Sequence, residues 1–136
     1  MTRFLKCVAA ATVVGLAVGC SSKPTGASVP PAETDLQDVN NLLRSAGHSG
    51  HLAAQLSDVE RNKGNFPRGY EAVKSGKVVV IWGAPTQGEG AVGKDEKVVA
   101  YEKDTPTSGG YVLLSAGSIK YMTADEFKAA PKAAGK

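Results

Sequence analysis

The hydrophobic period of this chain changes from helical to strand-like near Lys77, and that change limits the folds open to it. Upstream the apolar residues fall at helical spacing. In "TDLQDVNNLLRSAG", Leu36, Val39, Leu43 and Ala46 recur on one face of a helix. Thr34 and Gln37 have capping-box spacing, and Gly47 is placed to close the helix with a positive φ. A second helix is expected over "HLAAQLSDVERN", through Leu52, Leu56 and Val59, and "KGNFP" breaks it. A helical turn is expected over "GYEAVKSG", stopped by Gly76. Downstream the pattern is that of strands. "KVVVIWG" reads as a strand buried on both faces, followed by "KVVAYEKD", "GGYVLLS" and "SIKYM". Gly117 allows the reversal in "SAGS", and Ile119 and Tyr121 alternate with Lys120 as in a half-buried edge strand. "MTADEF" then offers a Thr123–Glu126 capping box and a Met122–Phe127 staple, with Pro131 ending the helix. Helices first and strands after give an α+β fold: N-terminal helices on a three- to four-stranded antiparallel sheet, with a short C-terminal helix.

The N-terminus carries a different kind of signal. Arg3 and Lys6 precede an uncharged, mostly apolar run, "CVAAATVVGLAVG", from Cys7 to Gly19. A spanning helix needs roughly 20 apolar residues, so the run is too short to cross a membrane. It has the layout of a secretory signal, and Ala17-Val18-Gly19 fits a small-x-small cleavage site before Cys20. Cys7 leaves with that signal, and Cys20 is then alone in an oxidising compartment. "LAVGC" resembles the lipobox of bacterial lipoproteins, with Ala17 where leucine is usual and Leu16 one step earlier. The resemblance implies a diacylglycerol on the Cys20 sulfur and an acyl chain, such as palmitate, on its amine. Each buried lipid methylene contributes about 0.8 kcal/mol, and two or more chains hold stably where one does not. Ser21 and Ser22 lack the aspartate of inner-membrane retention, which points to the outer membrane.

These signals divide the chain into a signal peptide (1–19), a lipid anchor with a tether (20–33), a globular domain (34–130) and a flexible tail (131–136). "SSKPTGASVPPAE" has three prolines and no aromatic residue, so it buries too little to fold. Extended at about 3.1 Å per residue, it holds the domain roughly 40 Å from the bilayer. Without Arg3 and Lys6 the chain has 14 basic side chains against 13 acidic ones, a balance with no broad attraction for nucleic acid.

Motifs with chemical potential are few. "GEGAVGK", from Gly88 to Lys94, matches both a GxGxxG and a GxxxxGK phosphate loop. Both need a helix directly after, whereas "DEKVVAYEK" reads as a strand, and Asp95 stands where a hydroxyl would meet magnesium. A hairpin loop is the better reading, and no nucleotide is expected. His48 and His51, the only histidines, sit i, i+3 at the start of the expected second helix, on one side of it. Zinc needs three or four protein ligands, and nothing nearby completes such a set. Asp95, Glu96, Glu102 and Asp104 lie in loops or at a strand end without an EF-hand pattern. No GxSxG elbow is present, and Ser115 or Ser118 would need a histidine brought from afar. Trp82, Tyr101, Tyr111 and Tyr121 all fall on expected strands, as core residues or as an exposed platform. No catalytic residue, cofactor or metal is assigned.

With these elements in place, "NKGNFPRGYEAV", "VAYEKD" and "GGYVLLSAGSIKYMTADEF" resemble the C-terminal domain of type II secretion pseudopilins and related domains that end in a glycine-turn hairpin. The likeness covers roughly Leu52 to Phe127. It implies a helix packed on a small antiparallel sheet and a role in assembly or recognition. The filament-forming apolar helix of that family has no counterpart here, and neither does its calcium loop. The expectation is an exported lipoprotein of the cell envelope, held to its membrane through Cys20, whose domain binds another envelope protein by its sheet face or by the loop from Ala84 to Lys94. The alternative is a minor envelope enzyme or metal-binding protein using His48 and His51. Substituting Cys20→Ala should abolish incorporation of labelled palmitate and move the protein from the detergent phase to the aqueous phase. A wild-type chain that is itself unlabelled and aqueous overturns the anchor.

Overall fold

The computed structural model describes residues 31–48, 50–85 and 96–135. Cys20, the signal segment, most of the tether and the loop motif from Gly88 to Lys94 with Asp95 lie outside the described residues. The order is α1 (Pro31–Ala46), α2 (Leu56–Glu60), α3 (Pro67–Lys74), β1 (Val78–Val80), β2 (Val98–Glu102), α4 (Thr105–Ser108), β3 (Gly110–Leu114), β4 (Ile119–Met122) and α5 (Ala124–Ala129). The fold is α+β, with one four-stranded antiparallel sheet in the order β1-β2-β3-β4.

The expected apolar stripe of α1 is buried: Leu36, Val39 and Leu43 are fully enclosed with Ala46 beside them, and Leu42, outside that stripe, is enclosed as well. Its start differs. The helix begins at Pro31, so Thr34 lies in its interior and is not its cap. Proline suits a first turn, where backbone N–H groups have no intrahelical acceptor. Glu33 near the start and Arg44 near the end both oppose the helix dipole.

Packing of α1 on α3 depends on Gly69. A Cβ there would meet the Asp38 carbonyl carbon at 2.6 Å and the Val39 nitrogen at 2.7 Å, so the two backbones touch. The Asp38 carboxylate uses that approach, accepting a 2.8 Å hydrogen bond from the Gly69 N–H. The α3 N-cap, Phe66, supplies no side-chain acceptor, and Asp38 from the neighbouring helix does that work instead. One turn earlier, the largely buried Asp35 pairs with Lys77 and, at 3.7 Å, with Arg68. Gly76, with φ 74°, then turns the chain from α3 into β1.

Helices cover the sheet on both sides. Val78, Val80, Val99, Ala100 and Leu113 join the α1 and α3 side chains in the main core. Val98, Val112, Leu114 and Met122 face the other way, onto Phe127 of α5. A bulge in β2 allows this split: Val98 pairs with Leu114 but Ala100 with Leu113, so one extra residue sits on β2. Thr123 caps α5 in a complete capping box with Glu126, and the flanking Met122 and Phe127 share one cluster, as the sequence indicates. The Thr123 backbone amide, and then its hydroxyl, hold the Glu126 carboxyl below its ordinary pKa.

Several local expectations are corrected. The second helix is confined to Leu56–Glu60, because Leu52 and Ala53 are buried in succession and pair in extended form with residues 83–85. Gly47 lacks a positive φ, and what it provides is the missing Cβ, since one there would lie 2.4 Å from the His51 carbonyl oxygen. β1 stops at Val80 and Val79 is only half-buried, because α5 shields the other end of that face. In β4, Tyr121 is 56% exposed and Met122 is the buried residue, drawn to the Phe127 side. A helical turn, α4, interrupts the connection from β2 to β3. The tail is not free: the Val98 N–H donates to the Pro131 carbonyl, the Ala133 N–H donates to the Val98 carbonyl, and Ala133 is buried. Pairing of β1 with β2 stops at Ala100, followed only by the Ile81 N–H to the Val99 carbonyl, which leaves that corner of β2 for the tail.

Gly69→Ala should lower the unfolding free energy by about 1–3 kcal/mol, the usual cost of overpacking. Gly64→Ala is the control, since a Cβ there meets nothing within 4 Å. Urea denaturation of the two variants should separate them clearly, and equal midpoints would show that the α1–α3 contact is not tight.

Candidate functional site

α1 ends at Ala46, and the chain must turn back at once because the next buried residue, Leu52, belongs under the same core. Gly47 permits the turn. Its N–H bonds the Leu43 carbonyl at 2.9 Å, and the His51 carbonyl occupies the space a side chain would take. His48 and His51 then face each other across the turn, each donating its backbone N–H to the other's carbonyl, at 3.1 and 3.0 Å. Gly50, with φ 77°, supplies the backbone reversal. The far side of the His51 segment is also fixed: it bridges to Pro85, with the Leu52 N–H bonded to the Ala84 carbonyl and the Gly83 N–H to the Ala53 carbonyl, both at 2.9 Å. The histidines are therefore cross-strand neighbours and not helical ones, contrary to the sequence-based expectation. They do lie on one side, because residues directly opposed across an antiparallel pair point to the same face.

This turn forms one wall of a cleft of about 810 Å³. α2 brings Ser57 and Asp58 to it and its C-cap brings Arg61, Leu52 and Ala53 line it from the core side, and Ala134 and Gly135 close it from the C-terminal segment. Asp58 is committed to structure: its carboxylate accepts from the Ala54 N–H at 3.0 Å and from the Gln55 amide at 3.3 Å. Arg61 makes no ion pair among the described residues. Both imidazoles are exposed, and among the described residues neither has a hydrogen-bond partner. The cleft thus has an apolar wall, an unengaged guanidinium and two open imidazoles, a set suited to holding a ligand with apolar and acceptor groups.

The remaining candidates are scattered. Glu96 accepts from the Ser118 hydroxyl at 3.1 Å, and Glu102 accepts from the Tyr111 N–H at 2.7 Å. Among the described residues, no group of three or more His, Cys, Asp or Glu could hold a metal ion. Ser115 is buried with its hydroxyl on the Lys97 N–H, and neither it nor Ser118 lines the cleft. The aromatic residues form no common platform: Tyr101 lies 4.7 Å from Phe127 on the α5 side, Tyr111 and Tyr121 meet edge-on at 5.6 Å on the other, and Trp82 packs partly into the main core. From Glu96 onward the chain enters β2, a strand where a phosphate loop needs a helix. Sequence reasoning singled out the two histidines but missed Arg61, Asp58 and the C-terminal wall. Only tertiary pairing brings those together, and no local spacing in the sequence signals it.

Gly47→Ala should separate His51 from the end of α1. The wild-type amides of His48 and His51 should exchange slowly with solvent deuterium, and this variant should lose that protection while the β3 amides keep theirs. Unchanged protection at both histidines would contradict the geometry.

Among the described residues, no helix is long and apolar enough to cross a membrane. Comparison with family models, curated proteins and solved structures finds no match to this chain.

Proposed function

We propose that the protein is an exported lipoprotein, tethered through Cys20 to the cell envelope and on present signals to its outer membrane, and that its domain works by binding an envelope protein without catalysis. The cleft between the histidine turn, α2 and residues 134–135 carries this reading. Leu56 adds to it: it lies on α2 and is one of two large apolar side chains left exposed among the described residues, the other being Tyr121. Exposed apolar groups beside a charged rim are typical of recognition surfaces. Of the two expected docking surfaces, the loop from Ala84 to Lys94 lies mostly outside the described residues, and the sheet offers little open area beyond Tyr121, with α1 and α3 on one side and α5 on the other. The likeness to pseudopilin domains contributes only the idea of an assembly role. The cleft replaces the sheet as the place of contact.

A second reading draws on the meeting of both histidines at the cleft: an envelope enzyme with one of them as base. A general-base histidine is held by a partner on its far ring nitrogen. Neither ring has one among the described residues, which favours binding.

A photo-reactive residue in place of Ser57, in the cleft, should give one dominant adduct in intact cells. Arg61→Glu should suppress that adduct. The same residue in place of the exposed Lys74, on α3, serves as the reference. Equal, diffuse labelling from both positions would instead indicate a spacer without a specific partner.

A further inference from the structure

We propose that His48 and His51 form a two-nitrogen binding site for a borderline divalent cation, copper(II) foremost, at the rim of the cleft. Reciprocal hydrogen bonds make the two residues a directly opposed pair, with Cα atoms about 5.5 Å apart and side chains on the same face. At that separation two imidazoles reach one ion without moving the chain, since metal–imidazole bonds are about 2.0–2.1 Å. A second imidazole held beside the first acts at high effective concentration.

The backbone of the pair is also hydrogen-bonded in place before any ion arrives. His51 is held by backbone bonds to His48 on one side and by the pairing of its segment with residues 83–85 on the other. The carbonyl of His51 sits where Gly47 lacks a Cβ, which fixes the turn against the end of α1. Only the two exposed side chains are left to be ordered on binding.

The side chains around it explain why this pair is distinguished from the other polar groups. The carboxylates of Asp35, Asp38, Asp58, Glu96, Glu102 and Glu126 each accept a hydrogen bond that holds the fold. The two imidazoles hold nothing, are exposed to solvent and open towards the cleft. The formal charges of Asp58 and Arg61 in the cleft cancel, so a cation meets no net repulsion from them. Imidazole ligands suit copper, nickel and zinc, and copper(II) heads the affinity order. With only two protein ligands the ion keeps open positions for water or for a donor group of whatever enters the cleft. The proposal stands whether or not the cleft takes a protein partner.

The test uses the folded protein and copper(II) alone. Titration followed by calorimetry should show one equivalent bound, and the electron paramagnetic resonance spectrum should show coupling to two nitrogens. His48→Gln and His51→Gln should each weaken binding by about a hundredfold, the loss expected when one of two linked ligands is removed. Inserting one glycine after Gly50 keeps both imidazoles but takes them out of register, and it should weaken binding to a similar extent. Circular dichroism identifies any variant that fails to fold, and the spectrum of the wild-type complex decides the matter independently. Wild-type affinity in either single variant or in the insertion variant overturns the site, as does a spectrum without two-nitrogen coupling.

Discussion

The contact of α1 with α3 sets the geometry of everything else in the domain. It exists because Gly69 has no side chain, which lets the α3 backbone reach the Asp38–Val39 peptide. At that distance Asp38 can cap the start of α3, a helix too short to be stable alone. Asp35 ties the same helix pair to Lys77, the residue before β1. The helix layer and the first strand are therefore positioned by two neighbouring carboxylates on one helix. Each is an ordinary polar contact, worth little in isolation, and both depend on the one close approach.

Above this layer the sheet does something its four short strands would not do on a flat plan. The bulge in β2 sends Val99 and Ala100 to the helix layer and Val98 to α5, so both faces find apolar partners. α5 is only six residues long and is held by its ends. Thr123 and Glu126 cap its start, and the Lys132 ammonium returns to the carbonyls of Phe127 and Ala130 at its finish, lying 4.5 Å from the Phe127 ring centroid. A short helix fixed at both termini is enough to close the smaller core.

What was legible in the sequence was whatever local periodicity determines. The buried face of α1, the four strands, the positive φ of Gly117 and the α5 capping box all follow from spacings of a few residues. The misjudged positions are those where a distant segment decides. Leu52 and Ala53 have a helix-compatible pattern, but residues 83–85 offer them hydrogen bonds in extended form. Tyr121 and Met122 are both apolar, and only the placement of α5 tells which one is buried. The histidine pair shows both sides of this. Its spacing is plain in the sequence, but a helical i, i+3 relation and a cross-strand one put the rings in different surroundings, and the latter is set by Gly47 and Pro85.

The C-terminal segment joins two otherwise separate matters. Residues 131–133 complete the open corner of β2, and residues 134 and 135 stand as a wall of the cleft. These residues follow every other described element along the polypeptide. A chain emerging from a ribosome or a translocation channel, amino end leading, can assemble its helix layer and sheet before they appear. The cleft is therefore completed after the helix layer and the sheet, and a chain clipped just past α5 would keep that architecture while lacking one wall of the cleft.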